Sequence, residues 1–198
     1  MTLRPCLVPF AIVAAASLAF ANPAPQGSGL SNATVLIIRH GEKPADGTGL
    51  TPRGKERATA YAKYFQNYKV GSSLFHADYL LATADSKKSA RERLTLEPLG
   101  QSFGLPVESK YKNNQYAQVI SDIQARPAGK SYVICWHHGN IPNLIRSFGV
   151  QPEALLPSGK WPAAQFGWVI QIKFDAAGKP IRGLTKRVQE NLTLSNRM

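Results

Sequence analysis

Cysteine is nearly missing from this chain of 198 residues, which has two, Cys6 and Cys135. Cys6 lies in an N-terminal stretch with the look of an export leader. Its removal leaves Cys135 alone, so an internal disulfide is excluded and the domain must hold by packing. Cys135 sits inside an apolar run and reads as a small buried hydrophobe. Acidic residues are scarce as well: 12 Asp and Glu stand against 24 Lys and Arg, a formal net charge of +12. Such an excess suits a small anionic substrate or a polyanion. No long basic run concentrates the charge, so most of these residues read as solvated surface and no nucleic-acid partner is expected. There is no internal repeat and no second domain boundary, which leaves one domain. An apolar content of 43% with 18% charged residues excludes a disordered chain.

The longest apolar stretch, Leu7 to Phe20, is short for a membrane span. With Arg4 before it and Ala19-Phe20-Ala21 at its end, it reads as a signal peptide over residues 1–21, cleaved near Ala21. Leu3-Arg4-Pro5-Cys6 is a poor lipoprotein signal, because charge and proline, not an apolar core, precede the cysteine. A secreted or periplasmic protein without a stable membrane anchor is expected. Residues 22–31, rich in Pro, Gly, Ser and Asn, read as a mobile linker before a single domain over 32–198. Asn32-Ala33-Thr34 and Asn191-Leu192-Thr193 fit the glycosylation pattern, with chance as the default.

What the domain does have is an alternation of strands and helices. Ala33 to Ile38 is a β-branched run ending in a turn, a buried strand of a parallel sheet. Thr51 and Pro52 open a helix as cap and first residue, with Ala58, Tyr61, Phe65 and Tyr68 along one face. Strands follow at Tyr79–Thr83, Val107–Tyr111, Tyr132–Trp136 and Trp168–Phe174, and a polar one near Arg182–Val188. Helices are expected over Ser89–Phe103, Tyr116–Arg126 and Leu144–Phe148. The fold class is a three-layer α/β/α domain with a mostly parallel central sheet and an antiparallel terminal pair.

Ligands of such sheets sit at the carboxyl ends of the strands. Arg39 and His40 follow the first strand there, and His137 and His138 follow the one ending at Trp136. Arg91 lies in the turn or early helix after Tyr79–Thr83. Lys87, Lys88 and Arg93 cluster near it, beside the expected pocket. Alone, Arg39-His40-Gly41 is as readily a surface loop; convergence of three βα junctions is harder to dismiss. Two adjacent histidines also raise zinc, but no cysteine or carboxylate with ligand spacing follows them. Lys43 reads as substrate contact or solvated lysine, and His76 as structural.

Arg39-His40-Gly41-Glu42, Leu50-Thr51-Pro52-Arg53-Gly54, Ser89 to Thr95 and His138-Gly139-Asn140 together resemble the histidine phosphatase superfamily, in its phosphoglycerate-mutase-like branch. The resemblance runs in the family's order from about Ala33 to Asn140. It implies an exported phosphatase in which His40 forms a covalent phosphohistidine. Arg39 and Arg91 would bind phosphate oxygens, and His138, favoured over His137, would donate a further hydrogen bond. It implies no metal and no cofactor, and a small phosphorylated substrate. A family proton donor belongs between Arg91 and the second histidine. Glu108 lies roughly there, Glu97 and Asp122 fit less well, and the Asp found after the second histidine in acid phosphatases is here Gly139. Two alternatives stand beside a phosphatase: a mutase of the same fold, and a non-catalytic binder of anions.

Overall fold

The computed structural model describes residues 28–195. The signal peptide expected at 1–21, Cys6 and positions 22–27 lie outside the described residues. The elements run β1 (Thr34–Arg39), α1 (Pro52–Gln66), β2 (Lys69–Val70), β3 (Ser73–Leu74), β4 (Tyr79–Thr83), α2 (Arg91–Phe103), β5 (Val107–Tyr111), α3 (Tyr116–Gln124), β6 (Ser131–Trp136), α4 (Ile141–Ser147), β7 (Trp168–Lys173) and β8 (Lys186–Gln189). The short β2–β3 hairpin is an addition to the expected elements. The polar terminal strand starts later than expected, because Arg182–Leu184 forms one 3₁₀ turn before it.

Six strands form one sheet in the order β5-β4-β6-β1-β7-β8. The first four are parallel, and β7 and β8 run antiparallel at one side. All six residues of β1 are buried, as its unbroken apolar run requires in a sheet covered on both faces. On one face Leu36, Ile38, Val133 and Cys135 pack with Tyr61 and Phe65 of α1 and Leu96 and Leu99 of α2. On the other, Val35, Ile37 and Ile134 pack with Val119 and Ile123 of α3 and Leu144 and Ile145 of α4. The expected three layers are present.

Thr51 caps α1, its hydroxyl accepting from the Gly54 N–H at 3.0 Å, with Pro52 in the first helical position. Gly104 ends α2 in the left-handed conformation, φ 66°. Part of the segment read as a mobile linker is packed instead. Leu30 joins the core, and the Gly29 N–H donates to Gln124 O at 3.1 Å. A Cβ on Gly29 would meet Ile123 O at 1.9 Å, so glycine here allows a close approach to the end of α3 and not flexibility. Among the described residues no helix is long and apolar enough to cross a membrane.

Candidate active site

β1 and β6 are parallel neighbours in register, with Arg39 opposite Trp136. The residues that leave these strands side by side are therefore His40 and His137. Their ring centroids lie 5.9 Å apart. His138 is 6.1 Å from His40 and 4.6 Å from His137. One ring nitrogen from each of the three comes within 4.8 Å of the others.

Backbone groups set the tautomers. His40 is 2% exposed, and its Nδ1 lies 2.7 Å from the Gly41 carbonyl oxygen. A carbonyl only accepts, so Nδ1 carries the proton and Nε2 keeps its lone pair. Burial, with the charges of Arg39 and Arg91 adding to it against the Gly41 contact, brings the His40 pKa down to about 4. His137 has the opposite arrangement: the Gly139 N–H donates to its Nδ1 at 3.2 Å, which leaves Nε2–H as a donor. Burial lowers its pKa too, while the Glu92 carboxylate works the other way. His138, lowered to about 4 by burial and then by Arg39, has a buried Nδ1 without a partner among the described residues.

Arg39 is 3% exposed. It donates to Ala163 O at 2.7 Å and Gln165 O at 3.0 Å, and lies 3.8 Å over the Phe166 ring. Burial lowers its pKa to about 10. Arg91, at the first turn of α2, donates to Lys88 O at 3.1 Å and 3.4 Å and to Gly47 O at 3.4 Å. The Nε of each arginine is buried without a partner among the described residues. Exposed Lys43 adds positive charge at the rim, felt by both His137 and His138.

The loop bearing His40 is fixed from two sides. Gly41 N–H donates to Thr95 Oγ1 at 2.9 Å, and that hydroxyl donates to Arg91 O at 2.7 Å, so one buried threonine joins the His40 loop to the Arg91 turn. Glu42 accepts from Arg57 at 2.7–3.2 Å, and Arg57 also pairs with buried Glu190 after β8. Desolvation pushes the Glu190 carboxyl up to about 7.

No family model matches the sequence, and no curated protein matches it. The structure is similar to the protein histidine phosphatase SixA complexed with tungstate: 17% identity, 79% of this chain and 96% of that one, TM-score 0.51. It is similar to a phosphoglycerate mutase from Plasmodium falciparum at 12% identity, covering 82% and 98%, TM-score 0.53. A phosphoglycerate mutase from Bacillus anthracis gives 14%, 82%, 95% and 0.50. The fold is that of these histidine phosphatase and phosphoglycerate mutase structures.

In this histidine phosphatase fold the structure gathers His40, His137, His138, Arg39 and Arg91 at the carboxyl edge of the sheet. It does not bring the expected acid there. Glu108 lies on edge strand β5, three strands from β1 and hence about 14 Å away across the sheet. Arg126 holds both its oxygens at 2.9 Å, Lys110 adds a contact at 3.1 Å, and its pKa is lowered. An ionised, paired carboxylate has no proton to give, so Glu108 is excluded as the donor. Asp122 belongs to the same cluster. Glu97 and Arg93 pair with each other, and Arg93 also with Asp85, which takes Arg93 out of the basic pocket. His76 is exposed just before β4, at the opposite edge. Sequence reasoning missed Glu92, 2% exposed, whose Oε2 accepts from Ser89 at 2.9 Å while Oε1 has no partner among the described residues. Its place beside Arg91 was the available signal. It also missed Arg57, Glu190 and the loop at Ala163–Phe166, which no local pattern marks.

Proposed function

We propose that the chain is a phosphatase acting through a phosphohistidine on His40, on small phosphorylated substrates outside the cytoplasm. The observation that carries this reading is a buried imidazole with its Nε2 lone pair free, set among two further imidazoles and two guanidinium charges. A binder of anions needs the positive charges but has no use for a nucleophilic tautomer. In the first step the Nε2 lone pair forms a bond to phosphorus while the ester P–O bond breaks, and water protonates the leaving oxygen. In the second, water attacks phosphorus as the N–P bond breaks, its proton neutralises the hydroxide left by the first step, and phosphate and neutral His40 return. Negative charge spreads over the non-bridging oxygens in both steps, where preorganised donors act most strongly. Arg91 and Arg39 supply positive charge, and His137 and His138 supply ring N–H groups. Tungstate in the SixA neighbour fits a pocket for a tetrahedral oxyanion.

His40→Ala should abolish phosphate release from an aryl phosphate, with acid-quenched phosphohistidine on the unmodified protein as the positive signal. Arg91→Ala should raise KM and lower kcat together. Full turnover by His40→Ala would refute the assignment. Phosphoryl exchange between phosphoglycerates without net release would show a mutase.

A further inference from the structure

Phosphoryl transfer needs one nucleophilic imidazole and one donor; this site holds three. Their nitrogens come within 4.8 Å of one another, whereas three ligands on one tetrahedral zinc, each about 2.0–2.1 Å from the ion, lie about 3.4 Å apart. Small rotations of half-buried His137 and His138 close that gap. We propose that His40, His137 and His138 form a tridentate site for a divalent transition ion such as Zn²⁺, and that its occupation silences the catalytic nucleophile.

Two observations carry this. His40 donates Nδ1–H to a backbone carbonyl at 2.7 Å, the outer contact that orients a metal-binding histidine and leaves Nε2 for the ion. His138 has a buried ring nitrogen with no partner among the described residues, the unmet valence an ion satisfies. His137 is the adaptable member. It binds through Nδ1 by giving up the long 3.2 Å Gly139 contact, or through Nε2 by changing tautomer.

Arg39, Arg91 and Lys43 oppose a dication and weaken binding. Against them, both arginines already donate to carbonyl oxygens, and the Glu92 carboxylate acts on His137. Three imidazoles and an open fourth position also suit the borderline-soft zinc ion better than Mg²⁺ or Ca²⁺, which take oxygen ligands. Zinc here is an inhibitor that occupies Nε2 of His40, not a cofactor.

The binding claim is independent of the proposed function, while the silencing rests on it; the two are read separately. Zn²⁺ titrated against a chromophoric chelator should show one tight site per chain. His137→Gln should weaken it at least ten-fold, as should His40→Gln, whereas His76→Gln, at the opposite edge, should leave it unchanged. Circular dichroism confirms that each variant is folded. Zn²⁺ at the same concentrations should stop aryl phosphate hydrolysis, with EDTA restoring the full rate. Absence of a tight site, or a site lost in His76→Gln but kept in His137→Gln, overturns the proposal. So does full turnover with the site saturated. Zinc binding without any hydrolysis by the metal-free protein sinks the phosphatase reading alone.

Discussion

At the scale of single residues, the site turns on which ring nitrogen holds a proton. A histidine in water is half protonated near pH 6.5 and a poor nucleophile below that. Burial and two guanidinium charges bring His40 down to about 4, a preference for the neutral ring of about 3 kcal/mol. The Gly41 carbonyl then settles which nitrogen stays bare. Imidazole ¹⁵N titration should therefore find His40 and His138 with midpoints near 4, with His40 protonated on Nδ1 throughout the neutral range. A midpoint at or above 6 for His40, or an Nε2–H signal, would rule His40 out as the proposed nucleophile. The sequence treats His137 and His138 as rivals for one role. The structure sets both rings against His40, 5.9 Å and 6.1 Å away and 4.6 Å from each other.

At the scale of elements, the His40 loop is held by its close passage over the start of α1. A Cβ on Gly41 would meet Gly54 O at 2.9 Å and Gly54 Cα at 3.1 Å, and a Cβ on Gly54 would meet Glu42 O at 2.5 Å. Both obstacles are backbone and cannot swing away. Gly41→Ala should keep the fold by circular dichroism and lower kcat roughly hundred-fold, since a shift of about 1 Å at a nucleophile has that effect. An unchanged kcat would mean that the loop yields elsewhere. Arg57 secures the same loop through Glu42. Arg57→Ala leaves the buried Glu190 carboxylate without its counter-charge and should destabilise the protein by about 3–5 kcal/mol in urea unfolding. Little change would show that Glu190, relieved of Arg57, takes up a proton in place of its counter-charge. These ties mark what was legible and what was not. Strands, helices and the delivery of His40, His137 and His138 to one edge of the sheet follow from local periodicity, which short stretches encode. Arg39 to Ala163 spans 124 positions and Arg57 to Glu190 spans 133. No spacing rule reaches that far, so the clamp on Arg39 and the anchor of the loop were invisible. Glu108 misled because its place in the chain order says nothing about Arg126, which claims it.

At the scale of the whole molecule, the site and its support titrate in opposite directions. His40 has a folded pKa of about 4, below its ordinary 6.5. Its contribution to stability is full above pH 6.5 and is lost as pH falls through 4. His138 shares that sign. Glu190 behaves inversely: its folded value of about 7 lies above the ordinary 4.5 because burial disfavours the carboxylate. Its contribution is full below pH 4.5 and fades as pH rises through 7, by up to about 3 kcal/mol. Arg57 limits that loss, since the ionised form is the one it pairs with. Glu190→Gln isolates the effect, because the amide has the shape of the protonated acid and cannot ionise. Relative to this variant, the unsubstituted protein should lose stability between pH 5 and pH 8, read as the difference in urea midpoints at the two values. If it gains instead, attraction to Arg57 outweighs desolvation, and the His40 loop is anchored by a full ion pair in place of a shared proton.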